Sequence, residues 1–348
     1  MRDTMVLELD SSRRIIACNS RDGILEINAG AVILAMGCRE RTASQVFIYG
    51  DRPAGVLTAG VVQRYINMEG YLPGKTAVIL GSGDIGLIMA RRMTLEGISV
   101  KGVYEVMSSP GGLTRNIVQC LDDFGIPLHL SHTVVKVNGR KRVESVIIAH
   151  VDGERKPIPG TEIEIPCDLL VLAVGLIPEN EISLKAGIEI DNNTKGPILD
   201  SAFMTSLPGI FAAGNVAAVF DLVDYVSQSA EIAARGAVAY ISGELSAPGW
   251  DPVNAGENVS FVVPQRLRRE ACAEKRVFFL RVKQPEKAAT LVCSGKEEII
   301  FKKRCRHVAP PEMVCFEAEA SGPLAVEMRR ETSSLADSGV ESKKESVK

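Results

Sequence analysis

An apolar run from Thr76 to Leu80 passes directly into Gly81-Ser-Gly-Asp-Ile-Gly86 and then into Leu87 to Glu96, where apolar positions recur at helical spacing. A strand, a glycine turn and a helix in that order leave few alternatives for the local fold. Each glycine has its own task. Gly81 allows a turn with positive φ, Gly83 lets main chain approach a diphosphate, and Gly86 lets the helix pack close on the strand. A diphosphate held there faces main-chain N–H groups along Gly81, Ser82, Gly83, Asp84, Ile85 and Gly86, at the positive end of the helix dipole. Ile98 to Val106 reads as the second strand, with Glu105 near its end, where a carboxylate accepts hydrogen bonds from an adenosine ribose. That favours NAD(H) over NADP(H). Two residues keep a second reading: Glu105 as a solvated strand end, and Asp84, a negative charge beside the anion site, as a cap for the helix's own first turn.

With 348 residues, 46% of them apolar, the chain can bury the cores of two or three domains. The net charge is −3 and no dense basic block occurs outside the far C-terminus. Nucleic acid and anionic membrane are therefore not expected as partners. The longest apolar runs, Leu169 to Pro178 and Ile210 to Phe220, fall short of the roughly 20 residues that span a bilayer. The N-terminus has no uninterrupted apolar h-region, so the expectation is a soluble, cytoplasmic protein. The eight cysteines, Cys18, Cys38, Cys120, Cys167, Cys272, Cys293, Cys305 and Cys315, form no C-x-x-C and read as reduced, mostly buried thiols. Cys305, His307 and Cys315 lack metal-ligand spacing, so no metal is expected. His129 and His132 flank a β-like segment and read as packing or surface residues.

The expected fold class is α/β. Short β segments at Met5 to Leu9, Arg14 to Ala17 and Ile24 to Ile27 form a meander that leads into Ala31 to Gly37, a strand expected to be buried on both faces. The same pattern recurs at Asp168 to Gly175 and, more loosely, at Gly209 to Gly214. A strand ending in small residues lets a ligand approach at the crevice of an open α/β sheet, which makes Met36, Gly37, Gly175 and Gly214 candidate cofactor contacts; ordinary strand termination is the other reading. A helix over 112–125 and β segments Val134 to Val137 and Ser145 to Val151 complete a nucleotide-binding unit at 74–178, with Leu72 to Lys75 as a hinge into it. Tyr225 to Ser242 reads as an Ala-rich helix. A turn at 246–252 leads into a small β module at 253–325, with strands at Val259 to Val263, Arg276 to Val282, Ala289 to Cys293, Glu298 to Lys302 and Met313 to Glu317. Residues 331–348 are too polar to order themselves.

Ala31 to Arg41, Gly81 to Gly86 and Gly209 to Ser227 together resemble the pyridine-nucleotide-dependent flavoprotein oxidoreductases with two dinucleotide-binding domains. The resemblance covers about residues 1–245. It is nearest to the subgroup containing flavoprotein subunits of opine, sarcosine and proline dehydrogenases and of hydrogen cyanide synthase. It implies nested Rossmann-like domains: an FAD-type domain at 1–73 and 179–245, N-terminally incomplete, interrupted by an NAD-type domain at 74–178. It also implies FAD and NAD as cofactors. Gly214-Asn215 stands where most relatives carry Gly-Asp, which holds the flavin's ribityl chain and phosphate; Asn215 can still hydrogen-bond a hydroxyl. Relatives place a first G-x-G-x-x-G about a hundred residues before the Ala-Met-Gly strand, which here begins thirty residues from Met1. A truncated reading of a longer gene, a partner that supplies the missing half, and loosely held flavin are the three readings of that departure.

The implied chemistry is hydride transfer between nicotinamide and flavin, for which no side-chain nucleophile is required and no catalytic residue is assigned. Arg52 to Gly60 and Gln63 are candidates for lining the ring interface, or simply a connecting turn and helix start. Without paired cysteines the disulfide-reductase branch is not expected. The final partner is then a small-molecule substrate, of amine or amino-acid type by resemblance, or a redox subunit in an oligomer or hetero-complex. A nucleotide-binding scaffold subunit without chemistry of its own is the alternative. A plain NAD-dependent dehydrogenase needs a catalytic His or Lys, and no motif positions one.

Overall fold

The computed structural model describes residues 1–245, 249–269, 275–296 and 298–330. The polar tail at 331–348, Cys272 and residues 246–248 of the expected turn lie outside them. The central feature is a five-stranded sheet in the order Leu128–Leu130, Ser99–Glu105, Thr76–Leu80, Leu169–Leu172, Val56–Thr58, parallel throughout. Leu169–Leu172 is buried at every position, as a strand covered on both faces requires. Its last strand, Val56–Thr58, lies before residue 74, so the sheet starts earlier in the chain than the expected unit 74–178. Asp168 fixes the entry into the glycine strand: its Oδ1 accepts from Lys75 N at 2.9 Å and Thr76 N at 2.8 Å.

The helix Asp84–Leu95 buries Leu87, Met89, Ala90 and Met93 against one face of this sheet. The expected helix over 112–125 is shorter: Thr114–Cys120 is α-helical, Asp122–Phe124 is a 3-10 turn, and Gly125 at φ 62° closes it. A second sheet, Ile163–Pro166, Ser145–His150, His132–Asn138 and Tyr49–Gly50, packs Val134, Val137, Val146 and Ile148 on Val78, Leu80, Leu170 and Leu172 of the first.

The N-terminal meander forms as Thr4–Leu9, Arg14–Asn19 and Gly23–Asn28. After it, the run Ala31 to Gly37 yields only Val32–Leu34, which pairs in parallel with Ile210–Ala212 in a two-stranded sheet. The expectation of burial on both faces is corrected here. Ile33 is exposed, because among the described residues nothing covers that face of so small a sheet.

The C-terminal module has strands from Trp250 to Arg330 in two sheets of five and three strands. Trp250-Asp-Pro252, expected in a turn, lies in the strand Trp250–Ala255. Among the described residues, 250–252 form their ladder with Arg266–Arg268 and 253–255 form theirs with Leu324–Val326, so Pro252 sits where its missing N–H breaks no second ladder. Val263, Phe279 and Met313 of this module enter the same core as Phe203, Phe211 and Phe220. Arg268 and Asp200 form a buried ion pair, Nη1 to Oδ2 at 2.6 Å, beneath that seam.

Candidate functional site

The glycine turn takes the conformation its residue types demand. Gly81 has φ 101°, and a Cβ there would lie 2.2 Å from the Ala173 carbonyl oxygen. A Cβ on Gly86 would meet Gly81 O at 2.5 Å and the Ala173 Cβ at 2.8 Å, so helix and strand approach as closely as two glycines permit. Gly83, the N-cap of Asp84–Leu95, has open space where a side chain would stand. The first helical N–H groups have no carbonyl to reach within the helix.

Ser82 and Glu105 hold the turn from beneath. Ser82 is fully buried; its N and Oγ both donate to Glu105 Oε2, at 2.8 and 2.7 Å, and Gly111 N donates to Ser82 Oγ at 2.8 Å. Met107 N donates to Glu105 Oε1 at 2.9 Å. Glu105 is 7% exposed, which overturns its reading as a solvated strand end. Three of the roughly four acceptor sites on a carboxylate are filled by the protein, leaving capacity on Oε1. Asp84 does not cap its own helix. Its Oδ1 accepts from Leu113 N at 2.9 Å and Asn116 Nδ2 at 2.6 Å, securing the start of the next helix, because Gly83 and not Asp84 occupies the cap position.

Two cavities open from this turn. The first, about 730 Å³, is lined by Gly81, Gly83, Glu105, Val106 and Gly175, and by Phe47 and Tyr49 from across the cleft. The second, about 470 Å³, is lined by Gly83, Asp84, Ile85, Gly86, Gly175 and Asn215, and by Glu40, Asp221 and Arg281. The structure thus gathers most of the expected residues and leaves Ser82, Met36, Gly37 and Gly214 outside both cavities, Ser82 because its backbone N–H and hydroxyl are buried against Glu105. Met36 is 38% exposed, in the loop that follows the strand Val32–Leu34. Gly37 uses φ 73° to turn the chain, and its carbonyl accepts from Glu179 N. Gly214 donates its N–H to Ser229 Oγ at 2.8 Å within the core. Asn215 is half committed, with Oδ1 accepting from Phe220 N at 3.0 Å and Nδ2 directed at Cys38 Sγ, 3.6 Å away. Arg52, Pro53 and Val56–Thr58 line a third, separate cavity of about 440 Å³, and Gln63 is exposed on its helix.

Sequence reasoning missed Glu40, whose Oε1 accepts from Gly60 N at 2.8 Å, and Gly111. The Pro110-Gly111-Gly112 cluster after the second strand was a usable signal for the latter. Arg281 arrives from a distant module with no local signal.

The seven described cysteines are free thiols. Burial raises Cys38 and Cys120 and pushes Cys167, Cys293 and Cys315 up to about 11. Cys305 lies on Ile299–Val308 and Cys315 on Val314–Glu319, in different sheets. No helix among the described residues is long and apolar enough to cross a membrane.

A sequence profile described as pyridine nucleotide-disulphide oxidoreductase matches residues 1–237. The chain is similar to an opine oxidase subunit of Agrobacterium tumefaciens (strain Ach5), 24% identical over 310 residues that cover 84% of this chain and 59% of that protein. It is 27% identical over 277 residues to an NADH oxidase of Methanocaldococcus jannaschii, covering 75% of this chain and 54% of that one. It therefore spans between half and two thirds of the length of these curated relatives. A crystal structure of an FAD-dependent pyridine nucleotide-disulphide oxidoreductase from Desulfovibrio vulgaris superposes with a TM-score of 0.55 at 20% identity, covering 87% of this chain and 75% of that one, a likeness of fold.

Proposed function

The chain belongs to the pyridine nucleotide-disulphide oxidoreductase family, and from that premise we propose that it serves an FAD-dependent NAD(H) oxidoreductase, passing hydride between nicotinamide and flavin without a redox disulfide. The observation that carries this reading is the glycine turn, where Gly83 leaves main chain bare beside two cavities while Gly81 and Gly86 fix the turn around it. A dinucleotide fits these residues: the larger cavity is of ligand size, and it holds Glu105 with acceptor capacity on Oε1. The choice of NAD(H) over NADP(H) rests on that carboxylate. A flavin finds a partial fit, through Gly175 and the second N–H of the Asn215 amide, the first being directed at Cys38 Sγ.

Bound nicotinamide and flavin supply the hydride chemistry between their own rings. The work of this chain is to bind, to align and to exclude water. The turn Gly81 to Gly86 orients a diphosphate, Ser82 and Glu105 brace that turn, and Gly60 N fixes the Glu40 carboxylate that lines the second cavity. Cys38, the thiol nearest Asn215, is kept protonated by burial, which supports chemistry without a thiolate. Similarity to one component of an opine oxidase supports work beside a partner redox protein, with an amine or amino-acid substrate as the finer reading.

The two-stranded FAD-side sheet favours a second reading, a nucleotide-binding scaffold without chemistry of its own. Anaerobic titration of the FAD-supplied chain with NADH separates them. Bleaching of the flavin band supports the oxidoreductase, NADH binding by a colourless protein supports the scaffold, and neither response overturns both.

A further inference from the structure

The strand Lys275–Val282 lies beyond the residues matched to the family, yet its Arg281 lines the cavity whose opposite wall is Gly83, Asp84, Ile85 and Gly86. This guanidinium is poorly partnered. Among the described residues, its hydrogen bond runs from Nη2 to the Val219 carbonyl at 3.0 Å, while Nε is buried with no acceptor. Of the three carboxylates of the cavity, Asp84 Oδ1 accepts from Leu113 N and Asn116, Glu40 Oε1 from Gly60 N and Asp221 Oδ2 from Met313 N, while Asp221 Oδ1 is buried without a hydrogen bond among the described residues. Burial lowers the Arg281 pKa against the pull of Asp221 and Asp84. A buried cation resting on one neutral oxygen is costly, and an oxyanion that accepts its remaining donors removes that cost.

We infer that Arg281 donates to the diphosphate of a dinucleotide seated on the glycine turn, so that the C-terminal β module forms one wall of the nucleotide site. The inference rests on the nucleotide reading above. It also accounts for Asp84, since the cation facing it across the cavity offsets a negative charge beside the anion.

Calorimetry with NADH on the wild-type chain, Arg281→Met and Arg281→Lys tests it, with thermal melts of each. Arg281→Met is expected to weaken NADH binding about ten- to hundredfold, the range of a hydrogen bond to a charged group, and Arg281→Lys to recover part of it. Without NADH, Arg281→Met melts at or above the wild-type temperature, because an uncompensated buried charge has gone. Inorganic pyrophosphate displaces NADH from the wild-type chain. If wild type fails to bind NADH, the nucleotide reading falls and this inference with it. If wild type binds and Arg281→Met binds equally well, the inference alone is overturned. It is likewise overturned if Arg281→Met melts well below wild type, the mark of a structural role, or if oxalate displaces NADH and pyrophosphate does not, the mark of a substrate carboxylate site.

Discussion

The NAD-type unit and the FAD-type segments are built on the same strand-and-glycine vocabulary, but they differ in what completes them. The first is largely self-contained: four of its five parallel strands, the helix Asp84–Leu95 on one face and most of the mixed sheet on the other lie within 74–178, and Val56–Thr58, Tyr49–Gly50, Ala59, Val62 and Ile66 join them from just before it. The second has two parallel strands and takes Val263, Phe279 and Met313 from the C-terminal module to complete its core. A nucleotide turn needs only neighbours within one βαβ unit. A core assembled from distant segments makes its stability hostage to all of them.

The largest expected effect strikes the self-contained unit. Gly81→Val combines a left-handed φ with a Cβ against the Ala173 carbonyl, and should cost about 3 kcal/mol or more, seen as loss of cooperative unfolding in the NAD-type unit. Arg268→Met breaks the other region instead. It strands Asp200 in the seam, where burial already raises the carboxyl, and should cost about 3–5 kcal/mol by denaturant titration while the NADH dissociation constant stays unchanged. Parallel losses of binding in both variants would erase the distinction between the regions.

Thiol titration probes both regions at once, through Cys167 in the NAD-type unit and Cys315 at the module seam, both raised to about 11. From their ordinary value near 9 upward, the folded state holds protons that the unfolded state has released. Their contribution to stability is complete below about pH 9 and lost as pH rises toward 11. Thiol reagents at pH 8 should leave buried Cys167 unmodified and label half-buried Cys315 slowly, and rapid labelling of Cys167 in the folded protein would contradict its burial.

The smallest effect concerns His129, stacked on Tyr104 with ring centroids 4.7 Å apart, whose pKa is lowered by burial and by His132. Here the unfolded state binds the extra proton, so stability is complete above the ordinary value of about 6.5 and declines as pH falls below it. His129→Phe should flatten that slope in acid melts of the NAD-type unit and leave the module unaffected.

How much the sequence disclosed follows the same division. The strand, turn and helix from Thr76 to Leu95 could be read because strand, glycines and helix follow one another without a break, although Gly81 and Gly86 also answer to Ala173 far along the chain, and the meander because its turns are local. Ala31 to Gly37 misled, since an apolar run records what a strand prefers to touch and not how many strands are there to touch it. Glu105 was seen, but its ties to Ser82 and Met107 were not, because side-chain acceptance by a neighbouring loop leaves no periodic trace. Trp250–Ala255 hid behind Pro252, whose tolerance depends on the two halves of the strand pairing with different neighbours. Arg281 could be found only in three dimensions.

The central claim is that bare main chain at Gly83 receives a dinucleotide. Calorimetric titration of the wild-type chain and Gly83→Val with NADH tests it most directly, because Gly83 has φ −64° and open space around it, so the variant can fold unchanged. The account predicts one NADH site per chain in the wild type and its loss in Gly83→Val, with the same melting temperature for both in the absence of NADH. Equal binding by the two proteins, or no heat from either, would contradict it.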